Sequence, residues 1–106
     1  MNFAKVIGTP ALLEQCAEEC TELAQACLKM ARKQRNENPT PVEMAVLWES
    51  LNEEAGDVEN CIEALLNSSV LSRSEMNFNK RVKLKRWIDR INESEGDSYG
   101  EKSSTC

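Results

Sequence analysis

The stretch LNEEAGDVEN, residues 51–60, places four acids and a glycine in what its apolar spacing predicts to be a helix. The acids are Glu53, Glu54, Asp57 and Glu59, and the glycine is Gly56. Like charges at helical spacing repel each other, and a glycine in a helix interior costs roughly 0.5–1 kcal/mol relative to alanine. Both features lower the stability of the helix, so a function for the acids is expected.

Two long helices can be delimited from their start and stop signals. The first is predicted to begin at Thr9, an N-cap residue, with Pro10 at the first helical position. The segment NENPT, residues 36–40, ends it. The second is predicted to begin at the capping box TPVE, residues 40–43, and to run to about Leu66.

A third helix and a polar tail follow. The helix is predicted to begin near Ser72 or Ser74 and to end at about Ile91 or Asn92. The tail is rich in glycine and serine and has no periodicity, which predicts disorder. We predict an all-α fold, an antiparallel helical bundle of three to four helices completed by oligomerisation. The predicted parts are a single domain over residues 1–92, in which residues 1–8 form a short arm or helical turn, and a disordered tail over residues 93–106.

The acids of the first two helices lie on matching flanks of two apolar stripes. At about 100° per residue, Glu19 and Glu22 lie roughly 70° and 130° from the centre of the first stripe. Glu54 and Asp57 lie roughly 60° and 120° from the centre of the second, in the same sense of rotation. The stripes are Leu13, Cys16, Cys20, Leu23, Cys27 and Met30 in the first helix, and Met44, Leu47, Leu51, Ala55, Val58, Ile62 and Leu65 in the second.

This geometry predicts a metal site. Antiparallel helices packed stripe to stripe are related by a local two-fold axis, so Glu19, Glu22, Glu54 and Asp57 are expected to meet along one edge of the interface. Converging carboxylates repel each other unless a cation neutralises them, and all-oxygen ligands suit Mg²⁺ or Mn²⁺. The alternative is a solvated acidic face without an ion.

The third helix is basic, since seven of the 13 Lys and Arg residues fall within residues 73–90. Lys83 lies on the flank of its apolar stripe and Arg86 lies further round the same flank, where both can reach the acidic edge or phosphates bound there. The alternative is a solvated basic face. Phe78 and Val82 point away from the stripe, which predicts self-association.

Two of these segments resemble a known family. Glu19-Cys-Thr-Glu22 and Glu54-Ala-Gly-Asp57 resemble the ExxE and ExxD motifs of the MazG-type all-alpha nucleoside triphosphate pyrophosphohydrolases. The stretch KLKRW, residues 83–87, resembles the basic stretch on that family's following helix. The resemblance covers about residues 10–92, with the motifs in the family's order and helical setting.

The resemblance implies an enzyme that binds Mg²⁺ through the four acids and hydrolyses (d)NTP to a nucleoside monophosphate and pyrophosphate. It implies phosphate contacts for Lys83 and Arg86, and it aligns Glu18 with an acidic position that orients or deprotonates water. Related alternatives are phosphoribosyl-ATP pyrophosphatase and an all-alpha dUTPase. The alternative from another class is a non-catalytic helical interaction module. No aromatic residue is clearly placed for base stacking, so the base preference stays open.

Composition narrows the expected partners and location. The formal net charge of −5 argues against a basic surface for nucleic acid. No apolar run approaches the ~20 residues of a membrane span, and the N-terminus has no signal-peptide pattern, so a cytoplasmic location is expected. The five cysteines are expected to be reduced, and Cys16 and Cys20 are expected to pack in the core. The expected partners are a nucleoside triphosphate and further copies of the chain, as a dimer or tetramer.

Overall fold

The computed structural model of the chain describes residues 1–37 and 42–102, with the side chains of residues 1–37 and 42–95. This part of the chain contains helices and no strand, which confirms the all-α fold class. It falls into two compact units, residues 1–71 and the residues from Ser72 onward, and each is described by itself. The helices are α1 (Phe3–Ile7), α2 (Thr9–Arg35), α3 (Met44–Asn67) and α4 (Arg73–Lys102).

In the first unit, α2 and α3 pack as an antiparallel pair. Leu12, near the start of α2, shares one apolar cluster with Ala64 and Leu65, near the end of α3. Ala26, late in α2, lines one cleft with Leu47, early in α3. This pairing confirms the predicted antiparallel arrangement of the two long helices.

The buried face of α2 differs from the predicted stripe. Leu12 is 3% exposed and Leu13 is 47% exposed, and Cys20 and Cys27, which the sequence placed on the stripe, are exposed. The inward face is turned by about 50° from the predicted one, and it includes Glu19. The predicted stripe of α2 was wrong because it was chosen by hydrophobicity alone. That criterion excludes an acid such as Glu19 from the interface. From Leu12 to Met30, the buried and half-buried residues of α2 follow one another in steps of four and three. They are Leu12, Cys16, Glu19, Leu23, Ala26 and Met30.

The inward face of α3 is turned toward its acids in the same way. Met44, which the sequence placed on the stripe, is 40% exposed. Glu54 and Asp57 are half-buried, whereas Glu53 is exposed to solvent as predicted. The fully buried residues are Leu47, Cys61, Ala64 and Leu65. Because both faces are turned toward the acids, Glu19, Glu54 and Asp57 are half-buried in the helix interface, and Glu22 lies exposed at its edge.

Helix α1 closes one end of this pair. Gly8 joins α1 to α2 with a φ of 90°, which other residues rarely adopt, and it precedes the first helical residue, Thr9. The backbone N–H of Ala4 donates to Ser68 Oγ at 3.1 Å, which ties α1 to the end of α3. Ala4 also packs against the Leu12 cluster. The predicted helical turn near the N-terminus is therefore confirmed, and it covers the apolar end of the pair.

The connection between α2 and α3 was predicted only in part. Asn36 ends α2 in the left-handed region, a conformation that asparagine tolerates. Glu43 is extended and its carbonyl accepts from the N–H groups of Val46 and Leu47, so it is the N-cap of α3. The capping box placed Glu43 inside the helix, and that assignment is wrong. Residues 38–41, which hold the rest of the box, lie outside the described residues.

Helix α4 belongs to the second unit. Ser72 Oγ accepts from the N–H of Glu75 at 3.3 Å, which caps the helix at its predicted start. The helix continues to Lys102, so the end predicted near Asn92 is wrong. No proline follows Pro41 in the sequence, and none therefore interrupts the hydrogen bonds of the helix. Residues 103–106 lie outside the described residues, and the disordered tail and the single domain stay predictions.

Gly56 faces solvent on α3, and a methyl group built there meets no atom of the described residues within 4 Å. We expect Gly56→Ala to raise the free energy of unfolding by about 0.5–1 kcal/mol, because alanine is the better helix former. Urea denaturation at low protein concentration measures this change. A loss of stability together with weaker self-association in sedimentation would contradict it, and would indicate that a second copy approaches the helix at Gly56.

Candidate metal centre

Four carboxylates meet near the middle of the α2–α3 interface. Glu19 and Glu22 come from neighbouring turns of α2, and Glu54 and Asp57 come from neighbouring turns of α3. Each offers one carboxylate oxygen, and these oxygens all lie within 4.8 Å of one another. Glu19 interacts across the interface with Asp57, and Glu54 interacts with Glu22. The four acids that the sequence analysis selected are therefore brought together by the fold.

The cluster is partly withdrawn from solvent. Glu19, Glu54 and Asp57 are half-buried, and Glu22 is exposed. The Oε2 atoms of Glu19 and Glu54 are buried, and neither has a hydrogen-bond partner among the described residues. Buried polar atoms are almost always partnered in proteins, so two unpartnered oxygens in one cluster fit a site for a positively charged or donating group. The sequence analysis placed the four acids on the flanks of the apolar stripes, roughly 60–130° from their centres, and therefore did not predict this burial.

Burial also changes the acidity of these groups. It is the main cause that raises the pKa of the Glu54 carboxyl, and the contact with Glu22 and the charge of Asp57 raise it further. Burial likewise raises the pKa of Glu19, and the charges of Glu22 and Asp57 add to this effect. Without a cation, Glu19 and Glu54 therefore keep their protons to a higher pH than an ordinary glutamate does.

Gln15 is a neighbour of the cluster that the sequence analysis missed. Its Nε2 donates to Glu19 Oε1 at 2.8 Å, and this bond lowers the pKa of Glu19 against the effect of burial. The bond fixes one oxygen of Glu19 and leaves the buried Oε2 to face the other acids. The signal was available, since Gln15 lies four residues before Glu19 and such pairs share one helix face.

The donor set fits a hard divalent cation. All four candidate ligands are carboxylates, and the chain has no histidine. Mg²⁺ and Mn²⁺ prefer oxygen ligands, whereas zinc sites are mostly built from cysteine and histidine. A cation among these oxygens would supply the missing partner of both buried Oε2 atoms and offset the repulsion among the four acids.

The thiols near the cluster belong to the packing of the helices. Cys61 is buried, and Cys16 is half-buried against the Leu12 cluster. Burial raises the pKa of both thiols, and a thiol with a raised pKa is a poor nucleophile and a poor metal ligand. Cys16 thus packs as predicted, whereas Cys20 is exposed, and its placement in the core is wrong. The cysteines of the described residues are free thiols, and Cys106 lies outside that part.

The basic residues predicted to contact phosphates, Lys83 and Arg86, lie in the second unit. Lys83 lines a groove on α4 together with Lys80, Leu84, Trp87 and Arg90. Arg86 is exposed on the same helix. Because the two units are described separately, phosphate contacts by Lys83 and Arg86 stay predictions. Glu18, which the resemblance aligns with an acidic position, is exposed on α2, as its position on the helix predicted.

A cleft between α2 and α3 extends from the acid cluster toward the end of α2. It has a volume of about 80 Å³, and its polar lining residues include Gln25, Lys29 and Ser50, which the sequence analysis missed. Glu22 and Glu54 belong both to the cleft and to the acid cluster. The remaining lining residues are Ala26 and Leu47. The spacing offered a signal, since Gln25 and Lys29 follow Glu22 by three and seven residues on one helix face.

Comparisons with models of protein families, with curated proteins and with solved structures find no match for this chain. A search of the described helices for a membrane span finds none that is long and apolar enough. The case for a function therefore rests on the cluster, the cleft beside it and the motifs themselves.

Proposed function

We propose that the protein is a Mg²⁺-dependent nucleoside triphosphate pyrophosphohydrolase of the MazG-like type, which converts (d)NTP to (d)NMP and pyrophosphate. The observation that carries the proposal is the convergence of Glu19, Glu22, Glu54 and Asp57 with two unpartnered buried oxygens. A solvated acidic face would orient its carboxylates outward, where water satisfies them. Here three of the four acids are half-buried between two helices, and this burial supports the binding of a cation.

The reaction requires a base, groups that stabilise the charge on the phosphates, and residues that hold the substrate in place. Glu19, Glu22, Glu54 and Asp57 would hold Mg²⁺, which would screen the phosphate charges and make the attacking water more acidic. A carboxylate of the cluster accepts the proton of the attacking water, since the chain has no histidine. The water oxygen bonds to the α-phosphorus, the bond from this phosphorus to the bridging oxygen breaks, and pyrophosphate leaves with the bonding electrons. The products are a nucleoside monophosphate, pyrophosphate and the proton held by the carboxylate.

Further features are proposed on the resemblance. Lys83 and Arg86 contact substrate phosphates, and the protein acts in the cytoplasm as a dimer or tetramer. Several large apolar side chains of α4 are exposed, which supports burial against another copy of the chain. The exposed side chains are Phe78, Leu84, Trp87, Ile88 and Ile91.

A nucleotide panel tests the proposal. Purified protein is incubated with each common NTP and dNTP, with and without Mg²⁺, in water enriched in heavy oxygen. We expect Mg²⁺-dependent release of pyrophosphate, with the heavy oxygen in the monophosphate, because the water attacks the α-phosphorus. Label in inorganic phosphate would indicate attack at the γ-phosphorus and would contradict the proposed reaction.

The same panel separates the alternatives. Turnover confined to dUTP or to phosphoribosyl-ATP would assign the protein to a related all-alpha pyrophosphatase class. No turnover of any nucleotide, together with no stabilisation by Mg²⁺, would support a non-catalytic helical interaction module. Base preference then follows from the relative kcat/KM values.

A further inference from the structure

The cleft beside the acid cluster has a definite polarity. Its cluster end is anionic, since Glu22 and Glu54 line it. Of the described residues that line the cleft, Lys29 alone carries a positive charge. Glu22 and Lys29 are separated by about two turns of α2, or roughly 10 Å along the helix axis. A ligand that lies in the cleft therefore meets metal-binding carboxylates at one end and an ammonium group at the other.

The direction of helical side chains shortens the distance between the ammonium group of Lys29 and the carboxylate of Glu22. Side chains on a helix lean toward its N-terminus, so the flexible side chain of Lys29 leans back toward Glu22. Gln25 and Ser50 lie between these ends and offer an amide and a hydroxyl as hydrogen-bond donors. The buried Ala26 and Leu47 form an apolar wall. Hydrogen-bond donors and the ammonium group of Lys29, next to a cluster that can hold a metal ion, suit a chain of phosphates.

We propose that Lys29 binds the β- and γ-phosphates of the substrate and stabilises the pyrophosphate that leaves. This inference rests on the proposed function and names the residue of the first unit that receives the leaving group. When the bond from the α-phosphorus to the bridging oxygen breaks, negative charge develops on the departing pyrophosphate, and the ammonium group of Lys29 offsets it.

The size of the cleft supports a phosphate tail over a whole nucleotide. Sites for small molecules commonly have about 300–1,000 Å³, and this cleft, at about 80 Å³, is far smaller, so it has no room for a nucleobase with its sugar. An aromatic side chain would be needed to stack a nucleobase, and the described lining residues include none. The base and sugar are therefore held elsewhere, and the cleft selects for the polyphosphate chain.

Binding of inorganic pyrophosphate tests the role of Lys29 without turnover. Isothermal titration of the full-length protein with pyrophosphate in Mg²⁺ buffer is carried out on the wild type, on Lys29→Met and on Lys5→Met. Lys5 is exposed on α1 and does not line the cleft, so Lys5→Met is a control with the same loss of charge. We expect Lys29→Met to weaken pyrophosphate binding by about tenfold or more, as the loss of a charge-assisted hydrogen bond predicts, and Lys5→Met to leave it unchanged.

The outcomes distinguish this inference from the proposed function. Equal pyrophosphate affinity in Lys29→Met and Lys5→Met, or no binding by the folded wild type, overturns the inference even if nucleotides are hydrolysed. A tenfold contrast in binding supports the inference even if the nucleotide panel shows no turnover, and in that case only the proposed reaction fails. Circular dichroism of both variants establishes that they are folded.

Discussion

Replacing Glu54 by glutamine is expected to abolish Mg²⁺-dependent hydrolysis, with a loss of about 100-fold or more in kcat. The amide has nearly the shape of the carboxylate but lacks its charge, so the cluster loses a ligand from its buried centre. The helices are expected to persist, and stability in metal-free buffer is expected to stay equal or to increase. The reason is that the substitution removes one repelling charge and places an N–H donor among acceptors. Turnover, circular dichroism and urea denaturation in chelator measure the three effects.

Glu53→Gln is the matched control, because Glu53 precedes Glu54 in the chain and is exposed. It removes the same charge from the same helix turn, and we expect hydrolysis to stay close to that of the wild type. Unchanged hydrolysis in Glu54→Gln would rule out the assignment of this cluster as the metal centre. An equal loss of hydrolysis in both variants would indicate that activity depends on the net charge of the helix and not on Glu54 as a metal ligand.

The metal-free protein is expected to lose stability as the pH rises above the ordinary glutamate pKa of about 4.5. Burial raises the folded-state pKa of Glu19 and of Glu54 above its ordinary value, so in this window the folded state binds more protons than the unfolded state. Stability must therefore fall with rising pH until both groups are ionised in the folded state. Thermal unfolding in chelator, from pH 4 upward at constant ionic strength, measures the slope.

Mg²⁺ is expected to reverse this loss at neutral pH. A ligand present at 100 times its Kd stabilises the folded state by about 2.7 kcal/mol, which corresponds to roughly 10 °C or more in Tm for a domain of this size. The effect is compared with added NaCl at equal ionic strength, because salt alone screens repulsion among acids. A Tm that rises equally with NaCl and with Mg²⁺ would contradict a specific site.

A double variant isolates the cause of both effects. Glu19→Gln with Glu54→Gln is expected to lose the steep pH slope and the stabilisation by Mg²⁺ together. The control is Glu18→Gln with Glu53→Gln, since these acids are exposed and each lies one residue before its buried counterpart. If the control loses the Mg²⁺ effect as well, the ion binds diffusely to the acidic surface.

The choice of acids could be made from the sequence because helical spacing is regular. Glu19 and Glu22, and Glu54 and Asp57, are each three residues apart, so one angle per residue is enough to predict that each pair shares a flank. The antiparallel pairing of two helices joined by a short connection then brings the pairs together. The cap at Ser72 was equally accessible, because capping chemistry is local. The start of α2 was located to within one residue, but its N-cap is Gly8, and the prediction of Thr9 as the N-cap is wrong.

The depth of the site could not be predicted, because it depends on which face of each helix the tertiary packing selects. Leu13 and Cys20 are as apolar as many core residues, yet the packing buries Leu12 and half-buries Glu19 in their place. A pattern of hydrophobicity alone gives no reason to place an acid in a helix interface. The cleft around Lys29 was missed for a related reason, since it requires the register between two helices and not the spacing within one.

The apolar contacts of the first unit lie on both sides of the carboxylates. Leu12, Ala64 and Leu65 pack on one side, and Ala26 and Leu47 lie on the other. Packing on both sides holds the helices together against the repulsion among the acids, so one oxygen of each acid stays within 4.8 Å of the others. If the cluster binds an ion, as proposed, little reorganisation would be needed, because folding has already ordered the ligands. The affinity for that ion would then depend on the whole helix pair, including aliphatic residues that never touch the metal.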